Sequence, residues 1–218
     1  MHKLLVIHHT PDDPAGARTY YRDTHMPLAA RTPGLLSCRF SLSPVAPDGS
    51  TPFFCVYEAT FASARAMADA FSTEPARAVV ADAANFATAG SIVQHFDVGP
   101  LHPSGSALPD EAELHKVLVL HRMPADREAS ASYYRDRHMP LAARTPNQLA
   151  CRYSLDPVGM DGSKDYFCVY EGFFASRDAM VQGLGTEIGQ GVVKDSANFA
   201  DRGSIVLNYR LEAYPIPG

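Results

Sequence analysis

The sequence predicts an α+β chain built from two copies of one small unit, and three observations carry that prediction. The stretch YYRDTHMPLAARTP (20–33) returns as YYRDRHMPLAARTP (133–146), with one change, at an offset of 113 residues. Between Tyr20–Ser63 and Tyr133–Ser176, 31 of 44 positions are identical without a gap, and the register persists into AANFATAGSIV (83–93) against SANFADRGSIV (196–206). A period that long is a domain, not a solenoid repeat. Each copy alternates strand-like and helix-like runs. Between them lies DVGPLHPSGSALPDEAE (97–113), whose prolines, glycines and serines mark a linker. The expected division is a first unit at 1–97, a linker at 98–113 and a second unit at 114–218.

Each element of the first copy has a local reason. KLLVIHH (3–9) is an apolar run of strand length. Asp13-Pro14 offers an N-cap and a first-turn proline. The helix that follows extends to about Ala30 and is disturbed at Pro27, which has no N–H to donate. LLSCRFSL (35–42) and FFCVYEATF (53–61) are strands joined by the turn signal APDG (46–49). Ser63 caps a short helix, Pro75 begins another that ends near Gly90, and SIVQHF (91–96) is the last strand. The order βαββαβ is the ferredoxin-like motif. Its helices cover one face of the sheet and leave the other bare. The expectation is that the two ferredoxin-like units pack sheet to sheet as an intramolecular pseudo-dimer, with the partner held at high effective concentration by fusion.

A symmetric hairpin between the second and third strands places Leu42 opposite Phe53, Phe40 opposite Cys55 and Cys38 opposite Tyr57. Those six form an apolar face suited to the helices. Ser37, Arg39, Ser41, Phe54, Val56 and Glu58 take the other face, where Arg39 and Glu58 are diagonal neighbours. Arg152 and Glu171 repeat that pair, which reads as a structural ion pair.

Composition excludes several classes. The net charge of −5 is spread along the chain without a basic run, so neither nucleic acid nor an anionic membrane is an expected partner. No apolar stretch approaches the roughly 18 residues of a membrane span. The LLVI run after Met1 is too short for a signal-peptide core, which points to the cytoplasm. Cys38, Cys55, Cys151 and Cys168 match between copies, fit no zinc spacing and read as reduced, buried small hydrophobes. A phosphate loop, a nucleophile elbow and a dinucleotide fingerprint are all missing from the sequence. The expected cofactor and metal are therefore none.

The residues YYRDTHMPLA, then GLLSCRFSL, FFCVYEATFAS and DAANF, resemble the EthD family, and both copies carry the resemblance. It implies the dimeric α+β barrel architecture, so the full expectation is a pseudo-dimeric α+β barrel. It also implies a role in, or in assisting, oxidative turnover of a small hydrophobic or aromatic compound, with a ligand pocket between the sheet and the helices of each unit. Cyclase-type relatives carry a His-Pro-x-His element after the second helix. Here that stretch reads Glu74-Pro75-Ala76-Arg77 and Glu187-Ile188-Gly189-Gln190, which weakens a polyketide cyclase or isomerase reading. A non-enzymatic carrier of the same ligands and a purely structural assembly partner stay open, as does further self-association of the fused pseudo-dimer.

His25 and His138 are the leading catalytic candidates. Each follows a tyrosine, Tyr21 or Tyr134, by four residues, so each pair shares a helix face. An imidazole moves protons near neutrality, and a neighbouring tyrosine can hold a ligand oxygen. The competing structural reading has each histidine bonding a backbone carbonyl freed by Pro27 or Pro140. His8 and His121, at the end of the first strand, and Tyr57 and Tyr170, mid-strand, are candidate ligand contacts, as are Phe40 and Tyr153. Asp23 and Asp136 stand off the histidine face, and Asp12 has no acidic counterpart at Ala125. Asn85 and Asn198 read as residues that satisfy backbone groups. The copies differ at Phe40/Tyr153, Gln94/Leu207, His95/Asn208 and Phe96/Tyr209, so two pockets of unequal polarity are expected.

Overall fold

The computed structural model describes residues 1–103 and 107–217; residues 104–106 of the expected linker lie outside them. The first copy runs β1 (His2–His9), α1 (Pro14–Tyr20), a π-helical turn (Tyr21–His25), α2 (Met26–Ala29), β2 (Leu35–Ser41), β3 (Phe53–Phe61), α3 (Ala64–Phe71), α4 (Glu74–Asp82), a 3₁₀ turn (Ala83–Asn85) and β4 (Ser91–Asp97). A 3₁₀ turn (Glu111–Glu113) then precedes the second copy. It runs β5 (His115–Arg122), α5 (Arg127–Tyr133), a π-helical turn (Tyr134–His138), α6 (Met139–Ala142), β6 (Gln148–Leu155), the two-residue β7 (Val158–Gly159), β8 (Tyr166–Phe174), α7 (Arg177–Gly185), α8 (Glu187–Asp195), a 3₁₀ turn (Ser196–Asn198) and β9 (Ser204–Arg210), with β10 (Glu212–Ala213) last. The class is α+β with antiparallel sheets and two repeated halves, each of ferredoxin-like strand order. Five strands of the first unit run β10-β2-β3-β1-β4, and those of the second run β6-β8-β5-β9.

The helix starts follow from their caps. The Asp13 carboxylate accepts from the Gly16 N–H at 2.9 Å, and the Ser63 hydroxyl accepts from Ala66 N–H at 3.1 Å. Asp126 and Ser176 do the same for α5 and α7. The helix entering at Pro14 does not run unbroken to Ala30. One π turn precedes Pro27, with the Met26 N–H bonded to the Tyr21 carbonyl. The wider turn accommodates a proline that offers no donor. The helix beginning at Glu74 leaves α geometry after Asp82, eight residues short of Gly90, which instead takes φ +87 to turn into β4.

The hairpin register corrects the symmetric one. Phe40 pairs with Tyr57, Cys38 with Ala59, and Arg39 lies directly opposite Glu58. The pairing is shifted by two residues, so each side chain keeps its face. Phe54 changes sides for another reason. His8 pairs with Cys55 and His9 with Phe53, leaving Phe54 as the extra residue of a β-bulge. The bulge turns Phe54 into the core beneath the helices. Phe167 repeats this in the second unit. The expected Arg–Glu pair is direct in the second unit, Arg152 Nε to Glu171 Oε2 at 2.6 Å. Buried lysines join these carboxylates: Lys3 Nζ donates to Glu58 at 2.8 Å, and Lys116 Nζ donates to Glu171 at 2.8 Å. The four cysteines are free and buried.

The chain divides into Met1–Val98 with the stretch from Leu211, and Gly99–Arg210. The expectation set 98–113 apart as a linker; here segments beyond each repeat take part in strand pairing. Glu212 and Ala213 pair with Phe40 and Arg39 along β2. His102 and Cys151 exchange two backbone hydrogen bonds, at 2.7 and 2.9 Å. The tail of each copy therefore adds to the outer strand of the other copy's sheet, where unpaired N–H and C=O groups would otherwise be open. Among the described residues, no helix is long and apolar enough to cross a membrane.

Candidate functional site

In the first unit the π turn and the end of α4 bring four polar side chains together. His25 Nδ1 lies 2.8 Å from Asp82 Oδ2. The Tyr20 hydroxyl donates to Asp82 Oδ1 at 2.7 Å. Asn85 Nδ2 donates to Asp82 Oδ1 and to the Tyr20 oxygen, each at 3.0 Å. The second unit repeats the set: His138 to Asp195 at 2.8 Å, Tyr133 to Asp195 at 2.7 Å, and Asn198 to both at 2.9 Å. An ionised carboxylate only accepts, so the proton of each imidazole sits on Nδ1 and its lone pair on Nε2. That Nε2 is neither hydrogen-bonded among the described residues nor fully enclosed.

Burial of His25 and His138 lowers their pKa below 6.5, against an opposing pull from Asp82 and Asp195. The imidazoles are neutral at neutral pH. Burial would raise the Asp82 and Asp195 pKa values, but the hydrogen bonds from tyrosine, histidine and asparagine outweigh it and hold both low. A neutral imidazole anchored through Nδ1 by a carboxylate, with Nε2 open, can accept a proton there.

Aromatic rings surround it. Phe86 approaches His25 at 4.5 Å, Tyr21 at 5.1 Å and His8 at 5.1 Å between ring centroids. Tyr21 lies 5.0 Å from His25, as Tyr134 lies 5.1 Å from His138. The Tyr21 hydroxyl is completely buried. The Cys55 thiol, a weak donor and acceptor, interacts with it, but no described residue meets hydrogen-bond geometry with the hydroxyl. Tyr134, beside Cys168, is in the same state. A buried hydroxyl without a partner forfeits roughly 1–3 kcal/mol, and its occurrence at one place in both copies calls for an explanation.

The other candidates divide. His8 Nδ1 lies 2.7 Å from Ser91 Oγ, and His121 lies 2.7 Å from Ser204 Oγ. Burial drives each of their pKa values down to about 3, so both stay neutral. Phe40 and Tyr153 meet the orphan tyrosines at 5.8 and 5.2 Å. Tyr57 and Tyr170 spend their hydroxyls elsewhere: Tyr57 sits 3.5 Å from Cys38 Sγ, and Tyr170 donates to Gln148 at 2.7 Å. Neither His25 nor His138 caps a backbone carbonyl, and Asn85 and Asn198 bond side chains, not the backbone. Within either unit, no three metal-ligating side chains converge among the described residues.

Sequence reasoning missed Asp82, Asp195, Tyr20 and Tyr133. The signal was present in the repeated D-x-x-N-F stretch, where Asp82 and Asn85 stand three apart and so share a helix face. Tyr20 was hidden by the assumption of α geometry. Residues five apart point about 140° away from each other in an α-helix. The π turn brings Tyr20 and His25 to one carboxylate.

A family model described as EthD domain matches residues 10–90 and 122–203. No curated protein matches the chain. Among solved structures, an anthrone oxidase-like protein is 10% identical, with TM-score 0.67, covering 97% of this chain and 92% of its own. A candidate monooxygenase from Fusobacterium nucleatum is 8% identical, with TM-score 0.59, covering 100% and 94%. An ethyl tert-butyl ether d (ethd) family protein from Bacillus halodurans is 19% identical, with TM-score 0.41, covering 47% of this chain and 99% of its own. At these identities the whole-chain likenesses are likenesses of fold.

Proposed function

From the membership of this chain in the EthD family, matched in both halves, we propose that it acts on a small hydrophobic or aromatic compound by proton abstraction as the first step of oxidative turnover. His25 Nε2, or His138 Nε2, takes a proton from a carbon made acidic by conjugation with a carbonyl. The orphan hydroxyl of Tyr21 or Tyr134 donates to the carbonyl oxygen as it gains charge. The resulting enolate passes one electron to dioxygen, the carbon radical and superoxide combine to form the C–O bond, and the peroxide anion takes the proton back from the imidazolium, so that R–H and O₂ give R–OOH. This route calls on the side chains, the substrate and dioxygen alone. The observation that carries the reading is the carboxylate-held imidazole beside an unpartnered tyrosine hydroxyl, present twice with near-identical distances. The likeness to an anthrone oxidase-like protein suggests the first compound to try.

The test uses the whole protein with 9-anthrone in air, following oxygen uptake, and in deuterated buffer without oxygen, following exchange of the acidic C–H. The wild type should accelerate both. His25→Gln with His138→Gln should lower both by about 10²–10⁴-fold while the circular dichroism is unchanged. Unreduced rates in the double variant would remove the histidines from the mechanism. Stoichiometric binding with no exchange or uptake would replace the enzyme by a carrier.

A further inference from the structure

The two units differ at one place beside the orphan tyrosine, and the difference comes partly from the stretch between the copies. In the second unit His102 stacks on Tyr153 at 5.9 Å and 22°, and Tyr153 meets Tyr134 at 5.2 Å. His102 is held there by its two backbone bonds to Cys151. Its Nε2 is buried and unpartnered among the described residues. The Tyr153 hydroxyl makes no hydrogen bond there either, and it is not enclosed. Among the described residues, the row from His138 through Tyr134 and Tyr153 to His102 thus carries four polar atoms without hydrogen-bond partners.

The first unit offers less. Phe40 replaces Tyr153 beside Tyr21 and has no polar atom. The ring that the C-terminal stretch lays against Phe40 is Tyr214, tilted by 56° at 6.4 Å. Beside the orphan hydroxyl, the first unit therefore presents an apolar ring where the second presents a phenol backed by an imidazole.

We propose that the second unit is selective for an aromatic ligand bearing two oxygens, one met by Tyr134 and the other by Tyr153 and His102, whereas the first accepts a singly oxygenated one. Tyr153 and His102 are the specificity-determining residues. The proposal rests on the reading of Tyr21 and Tyr134 as ligand contacts. A hydroxyl buried against Phe40 loses its water without a replacement partner, while the same hydroxyl against Tyr153 gains one. Such asymmetry discriminates against the wrong ligand more strongly than a change of apolar volume does.

The test is calorimetric titration of the whole protein with 1-naphthol and with 1,5-dihydroxynaphthalene, stable stand-ins for an enol with one and two oxygens. The diol should bind one of two sites about tenfold more tightly than the other, as one net hydrogen bond implies. Tyr153→Phe, which removes a single oxygen atom, should abolish the preference, and His102→Phe should weaken it. Phe40→Tyr should raise the affinity of the first site for the diol. Equal binding of the diol at both sites, or an unchanged preference in Tyr153→Phe, overturns the proposal and leaves the histidine mechanism standing. If neither compound binds the wild type, the reading of the tyrosines as ligand contacts falls, and this proposal with it.

Discussion

Asp82 decides what His25 is. With a carboxylate on Nδ1 the lone pair is on Nε2; with an amide, the NH₂ group can donate to Nδ1 and move the proton to Nε2, which ends its use as a base. Asp82→Asn with Asp195→Asn should therefore lower turnover by about 10²-fold or more, chiefly in kcat. It should also remove the interaction that holds the imidazole pKa up, so that protonation moves to still lower pH. In the wild type the rate should rise with pH through the depressed histidine pKa and level off above it, with the acid limb below pH 6.5. Imidazole nitrogen shifts followed by NMR report both changes, and an unaltered titration in the variant would show that the carboxylate does not govern the ring. The histidines were legible in the sequence through HMPLA, written twice. Their acid was not, because it arrives from 57 residues away, and only a fold brings it there.

At the scale of elements, the π turns set the geometry of the site. A proline that offers no N–H favours the wide turn before it. Pro27→Ala with Pro140→Ala should permit an ordinary α-helix through the segment, turning Tyr20 away from the carboxylate that His25 holds. The expected result is at least a tenfold loss of activity with unchanged or higher helix content, since helix-interior proline is unfavourable by about 3 kcal/mol relative to alanine. Amide exchange across Tyr21–His25 measures whether the turn has closed, and full activity with a closed turn would separate the turn from the chemistry. Caps and strands were readable from Asp13, Ser63 and the apolar runs of β1–β3, and strand order from their βαββαβ succession. The bulge at Phe54 and the two-residue register shift were not. They depend on how β3 meets β1 and β2 together, which the hairpin's own residues do not encode.

For the whole molecule, the buried histidines make acid a destabiliser. His8 and His121 have pKa values of about 3 in the folded chain, against about 6.5 when unfolded. The unfolded chain then binds more protons throughout the window between those values, so stability is complete above pH 6.5 and declines as pH falls toward 3. From about pH 7.5 to about pH 5 the loss should be about 2 kcal/mol for each of the two residues. Denaturant unfolding at the two pH values measures it, and equal stability at both would mean that these side chains are not buried as described. The duplication was plain in the sequence, but the allotment of the tails was not: Leu101–Pro103 and the stretch from Leu211 carry no strand pattern, and their place comes from open edges offered by β2 and β6.

Those borrowed tails mean that the gene's repeat boundary and the protein's physical boundary do not coincide. A fragment ending at Val98 would lack the segment that pairs with β2, and one beginning at His115 would lack the segment that pairs with β6. Each piece would carry a raw β-edge inclined to recruit other chains. The ancestral doubling is therefore no longer reversible by a single cut, since each copy's outer strand is paired by a segment that lies beyond the other copy's repeat.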